Sequence, residues 1–263
     1  MENWTMHRFA TTATLTLAMM LTSAAVPPRT LAQTEKPLVT PDSGGSIESF
    51  VPQGYRIFTS RLADLNGDGL TDAVLGIQMA DDVEAYEHDR PLLILLRRPD
   101  GTYRLSGRSD KAIETAPIGP HGDGFGLDIR GRTVVLSHTE AGQGAGAEQE
   151  EFYRFQDAGW YLIGASDFQW NYDNTAGQGV ACPELHLPVT VVCVELHHSF
   201  NYNTSIEEWR YTIAKVTTQP DEGAPTWSKL VRRSIPKRPL MALSDADPLA
   251  IDTELFKNRT GPP

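Results

Sequence analysis

Cysteine is nearly absent: Cys182 and Cys193 are the two in 263 residues. They lack CxxC spacing, which argues against a structural zinc site. In an oxidising compartment two cysteines most simply pair, and the short loop they would close is worth roughly 3 kcal/mol in the chain-entropy model. Long apolar runs are missing beyond residue 26, so no later segment is apolar enough to cross a membrane. Basic charge is scarce: 23 Lys and Arg stand against 34 Asp and Glu, a net charge of −11. No basic patch with interleaved aromatics is present, and an acidic surface repels phosphate backbones, so nucleic acid is not an expected partner. The catalytic signatures are missing too. Residues 122–126 place Asp123 where a phosphate would sit, and neither a Gly-x-Ser-x-Gly elbow nor a His-Glu-x-x-His pair occurs. No motif recurs every 40–50 residues, which argues against a complete propeller.

What is present begins with an export signal. Arg8 precedes an apolar stretch over 9–26, and Thr30 and Ala32 supply small residues at the −3 and −1 positions of a cleavage site. Residues 1–32 read as a signal peptide, with Gln33 as the mature N-terminus. The threonines within the apolar stretch and Pro27-Pro28 after it argue against a retained anchor. Removing 1–32 leaves a chain of net charge −12. Residues 33–50, rich in Pro, Gly, Ser and Thr, read as a linker, with structure starting near Tyr55. A β-rich domain over 51–252 follows, then a flexible tail over 253–263. The expected location is the periplasm or the exterior.

Residues 64–72 are the most informative stretch: Asp-Leu-Asn-Gly-Asp-Gly-Leu-Thr-Asp. Asp64, Asn66, Asp68 and Asp72 occupy loop positions 1, 3, 5 and 9. Gly69 sits where the backbone must turn, and Leu70 offers a carbonyl at position 7. An all-oxygen set suits a hard cation, Ca2+. The plain alternative is an acidic turn, since Asn-Gly and Asp-Gly are common turn pairs. Position 12 is Leu75, within an apolar strand-like run, so the loop departs from the EF-hand at its bidentate glutamate. It resembles the strand–loop–strand of FG-GAP and VCBS repeat proteins. That resemblance implies Asp64, Asn66, Asp68, Leu70 through its backbone, and Asp72 as ligands of a structural calcium ion. Residues 63–77, 90–105 and 125–164 together resemble a group of bacterial exported proteins and lipoproteins with one such loop on a β-sheet core. The chain departs from that group over 117–121, where cysteines and more glycine are expected. The resemblance implies fold and export, not a chemistry.

Strand signals dominate the rest. Residues 73–77, 91–96, 149–155, 188–196, 208–216 and 227–235 read as strands, and hairpins are expected over 91–105 and 122–138. Ser109 is a candidate N-cap for a short helix over 109–115. Roughly ten short strands with few helical runs predict an all-β, antiparallel meander or sandwich, or an incomplete propeller-like sheet.

Candidate functional residues are sparse, and no catalytic residue is assigned. His197 and His198 are adjacent, so on a strand they point to opposite faces and cannot both hold one metal. His121 with Asp123, and His138 with Glu140, form i, i+2 pairs that share a face. The aromatic set from Phe152 to Tyr172 offers a stacking platform, most of whose alternate members belong in a core. The expected role is non-enzymatic, either binding or structural, on a calcium-stabilised scaffold, with an unknown protein or glycan as the ligand. The alternative is a hydrolase of wall or sugar polymers, with Glu150 or Asp128 near a cleft.

Overall fold

In the computed structural model of the chain the described residues are 38–81, 90–113, 124–142, 144–171, 185, 191–215, 226–248 and 251. Two antiparallel sheets account for about two thirds of them, which bears out the all-β expectation. The first sheet contains β1 (Ser43–Gly44), β2 (Tyr55–Ala63), β3 (Asp72–Met79), β4 (Arg90–Arg97) and β5 (Tyr103–Ile113), ordered β1-β5-β4-β3-β2. The second contains β6 (Gly124–Arg130), β7 (Thr133–Ala141), β8 (Ala145–Gln156), β9 (Gly159–Asn171), β10 (Val191–Asn201), β11 (Ile206–Lys215) and β12 (Thr226–Ser234), each paired with the next. Two 3-10 turns, Ile47–Phe50 and Leu243–Asp245, and the α-helical positions 248 and 251 are the helical residues among those described. None is long and apolar enough to cross a membrane.

The strands β3 and β4 explain the architecture. Their sequences, Ala-Val-Leu-Gly-Ile and Leu-Leu-Ile-Leu-Leu, are continuous apolar runs, as expected of strands covered on both faces. Side chains alternate, so the runs feed two cores. Val74, Leu92, Ile94 and Leu96 enter a core shared with Leu127, Val134, Leu136 and Tyr153 of the second sheet. Leu75, Ile77, Leu93 and Leu95 enter another, with Phe50. Phe50 is fully buried there, and β1 pairs with β5, so residues 38–50 cover the outer face of the first sheet where a linker was expected. A third cluster, with Leu185, Cys193, Trp209 and Tyr211, lies beneath the far half of the second sheet. The expected partner of Cys193, Cys182, lies outside the described residues, as do 1–32, 117–121 with His121, and the tail over 253–263.

Two irregularities have local causes. The expected helix over 109–115 does not form in its described part: residues 109–113 belong to β5. Pro91 has no N–H for the ladder, and the register slips there between the Arg90–Ile113 and Leu92–Ser109 pairs. The Ser109 hydroxyl accepts the N–H of Ala112 at 3.0 Å, the bond of an N-cap, but it closes this bulge. In β9 the register shifts between the pairs Phe152–Gly164 and Tyr153–Leu162, skipping Ile163. That extra residue lets Leu162 and Ala165 both enter the shared core. Trp160 then packs on Gly107 of β5, where a Cβ would fall 2.7 Å from the indole, and its Nε1 donates to Ser106 at 3.1 Å.

The shared core generates a controlled prediction. Ile94→Ala opens a cavity between the sheets and is expected to cost about 2–5 kcal/mol in urea unfolding. Leu62→Ala, at a side chain 58% exposed, is expected to stay within about 0.5 kcal/mol of the parent. Equal losses would refute the assignment of this core.

Candidate functional site

Three places gather chemistry-bearing side chains. The first is the acidic loop between β2 and β3. Gly67 and Gly69 take φ of +86° and +82°, the left-handed region that a side chain resists. With the backbone so turned, the loop's oxygens face its own N–H groups. Asp64 accepts from Gly67 at 2.6 Å and from Gly69 at 3.0 Å. The Asn66 carbonyl accepts from the N–H of Asp68 at 2.9 Å, and Asp68 accepts from the N–H of Leu70 at 2.8 Å. Asp72, at the head of β3, is fully buried. It accepts from Leu65 at 2.9 Å and from Arg97, at the end of β4, at 2.8 Å.

The five residues expected as ligands lie between the end of β2 and the head of β3. The charges of Asp64 and Asp68 act on Asp72. Burial pushes the Asp72 carboxyl above its ordinary range; the N–H groups of Arg97 and Leu65 oppose this, while the charges of Asp68 and Asp64 add to it. For Asp64, desolvation acts upward but is outweighed by the Gly67 and Gly69 N–H groups and by Arg132, so its carboxyl is held low. Arg132, from the β6–β7 turn, lies against the loop: a Cβ on Gly67 would overlap its guanidinium. Among the described residues no three His, Cys, Asp or Glu side chains are gathered as a metal-ligand group. The loop's carboxylate oxygens each accept one N–H, and each has a further lone pair.

The second place is the outer face of the seven-stranded sheet. Cross-strand pairing lines up Glu150, Ser166, Ser199, Glu208 and Arg232 on β8 to β12. The next row on that face runs Glu148, Phe168, His197 and Arg210. The row on the other side runs Phe152, Gly164, Asn201 and Ile206. A groove of about 830 Å3 follows these rows toward Arg154, and a second hollow of about 420 Å3 extends it toward Glu195. Arg130, Glu150, Ser166 and His197 line both.

Most charges in the groove are internally paired. Arg130 holds Glu150 through both its terminal nitrogens and lies 3.5 Å from Asp128. Glu208 receives Arg232 at 2.5 Å and Arg210 at 3.3 Å, which holds its carboxyl below the usual range. Burial, and then the charge of Glu150, raise the Glu148 carboxyl. Burial followed by the Arg210 charge lowers His197. The two carboxylates expected to serve a hydrolase, Glu150 and Asp128, thus share one guanidinium, the arrangement of an ion-pair network. The aromatic set divides by parity: Tyr153, Phe155 and Trp160 pack in or against the core, whereas Phe152 and Phe168 face the groove. Phe168 and Trp170 stack with centroids 5.3 Å apart.

The third place is on the inner face of the same sheet, and sequence reasoning largely missed it. One row reads Phe125, His138, Gln149, Asp167, His198 and Trp209 across β6 to β11. His198 meets Glu207 at 2.9 Å and stacks on Trp209 at 4.7 Å, and Glu207 also binds Arg233. Glu151 accepts the Tyr153 hydroxyl at 2.7 Å. The adjacent pair His197 and His198 does split between the two faces, as strand geometry demands. The pair His138 and Glu140 was singled out in the sequence, but the cross-strand row to Asp167 and His198 was not. The available signal was polar residues at strand positions of inward parity.

Compared with known proteins, the chain matches no family model, no curated protein and no solved structure.

His138 yields a pH prediction. Its Nε2 is buried without a hydrogen-bond partner, and burial lowers its pKa from 6.5 to about 4. The fold therefore favours the neutral ring. Stability is complete above pH 6.5 and is lost as pH falls toward 4, because the unfolded chain takes up a proton that the fold resists. The full loss is about 3 kcal/mol. Urea titrations across this window are expected to show a shallower decline for His138→Phe than for the parent. Identical slopes would remove His138 as the cause.

Proposed function

We propose that the chain is an exported, calcium-stabilised binding protein that holds a protein or glycan ligand in the groove on the outer face of its seven-stranded sheet. The observation that carries this reading is the groove itself. It is continuous across β8 to β12, lined by hydroxyl, amide and aromatic groups, and its acids are largely tied to arginines. Polar groups set between exposed aromatic faces are the usual lining of a recognition surface. Paired carboxylates favour binding over acid–base chemistry, since a general acid and base need environments that separate their pKa values.

Calcium enters through the loop. Asp64, Asn66, Asp68, the Leu70 carbonyl and Asp72 would hold the ion, as in the FG-GAP and VCBS loops that the sequence resembles. The chemistry supplied is structural: positive charge beside Asp72 relieves the burial of a carboxylate near two others. Asp72 joins Leu65 to Arg97, so ordering the loop would set β2, β3 and the end of β4 relative to one another. The N-terminal signal and the Cys182–Cys193 pairing belong to the same reading, as features of an exported protein.

Two measurements test it. Millimolar calcium is expected to raise the Tm of the parent by several degrees and to leave Asp68→Ala unmoved, because a ligand that binds only the folded state stabilises it. An unchanged parent Tm would remove the calcium component. A panel of short peptides and oligosaccharides, screened by the same thermal shift, is expected to contain ligands for the parent that fail to stabilise Ser199→Trp, which fills the groove. If the panel stabilises neither protein, or both equally, the groove is not the binding face.

A further inference from the structure

The groove carries an internal asymmetry that specifies its occupant. Its charges cancel in clusters: Arg130 with Glu150 and Asp128, and Arg210 and Arg232 with Glu208. Arg154 and Glu148 stand outside these clusters. Arg154, at one end, spends its Nε and one Nη on the Thr133 hydroxyl, at 3.2 and 2.8 Å, and has no carboxylate partner among the described residues. Glu148, at the other end, has no cationic partner within ion-pair distance among the described residues; the neighbouring Glu150 adds repulsion that outweighs the more distant attraction of Arg130. Both lie on the outer face of β8, six residues apart, a separation of roughly 20 Å in an extended strand. The pairing of Arg154 with Thr133 also fixes the guanidinium in place and leaves its remaining N–H groups open.

On this basis we infer that the groove binds an extended peptide about seven residues long, with an anionic group at the Arg154 end and a cationic group at the Glu148 end. This rests on the reading of the groove as the binding face. Several features fit a peptide better than a uniform sugar chain. A peptide carries charges of both signs at its ends or side chains, at a spacing near 3.3 Å per residue. Ser166, Ser199, Asn201 and Thr204 offer hydrogen bonds for its amides, which require partners once desolvated. Phe152 and Phe168, in the rows on either side of Glu150, supply apolar contact between the two ends, and Ile206 borders the groove on its far side. The net charge of −11 makes an exposed arginine without a carboxylate partner a specific anchor, not part of a general cationic field.

The test uses the full mature chain and a library of acetylated heptapeptide amides. Each carries Lys at one end and Glu at the other, in both orders, with Ala, Ser, Thr, Leu and Phe varied between. Library members of one order are expected to bind, and replacing either terminal charge by Gln should weaken them at least tenfold. Arg154→Gln should erase the preference for Glu at its end alone, and Glu148→Gln the preference for Lys at the other. The double variant Arg154→Glu, Glu148→Lys should prefer the reversed order. Circular dichroism and Tm confirm that each variant is folded; the single neutral variants carry the test if the double one is not. Peptide binding indifferent to these substitutions would overturn the proposal. So would preferential binding of a neutral or uronic hexasaccharide that Ser199→Trp abolishes, although the groove would then stand as the binding face. If neither peptide nor saccharide binds, both the occupant and the groove reading fall.

Discussion

Burial on both faces of β3 and β4 is the constraint on which the rest of the structure depends. A strand covered on one side needs only alternating apolar residues, but these two are apolar at nearly every position. They must be sandwiched, and the chain supplies a cover for each face. Residues 38–51 close the outer side through Phe50. The inner side is closed by the first strands of the seven-stranded sheet, with Leu243 and Ala246 filling the junction. The Leu162 N–H donates to the Met241 carbonyl at 2.9 Å, tying the segment that carries these residues to β9. Sheet against sheet is thus the direct outcome of two short runs of sequence.

Against that core the acidic loop has a structural place. Leu65 anchors it in the shared core, and Asp72 fastens it at the head of β3 with bonds to two separate backbone segments. Arg132 brings the β6–β7 turn onto the same loop. Two residues earlier in that turn region, Arg130 lines both halves of the groove. The loop and the groove are therefore neighbours through a single hairpin, and an ion that drew on the loop's carboxylates would compete with Arg132 for Asp64. The acidic loop therefore lies beside the proposed recognition surface.

The long strands of the second sheet carry polar groups on both faces, and the two faces use them differently. On the outer face charges pair at the surface, where each pair contributes little to stability. On the inner face Glu151, Asp167, His198 and Glu207 are buried, where an unpaired charge would be costly. The bonds from Tyr153 to Glu151, from Gln169 to Asp167 and from His198 and Arg233 to Glu207 answer that cost. His138 meets the same demand by staying neutral.

Much of this was legible in the chain. The alternation and turn chemistry locate most of the strands and the antiparallel class, and the spacing of 64–72 locates the acidic loop. Strand geometry alone separates His197 from His198. Other features were not legible. Ser109 has the chemistry of a helix cap, yet Pro91 on the neighbouring strand turned it into the closure of a bulge. Phe50 sits in a polar, proline-containing stretch that reads as a linker, and only the apolar outer face of β3 and β4 made it core. The extra residue at Ile163 resets the alternation of β9, and nothing local announces it. Which residues alternate and which loop gathers acids follow from backbone period and turn chemistry within a few residues, and so can be read along the chain. Tertiary structure alone decided which face of each strand became core and which became groove. That choice depends on the register of seven strands and on a packing partner tens of residues away.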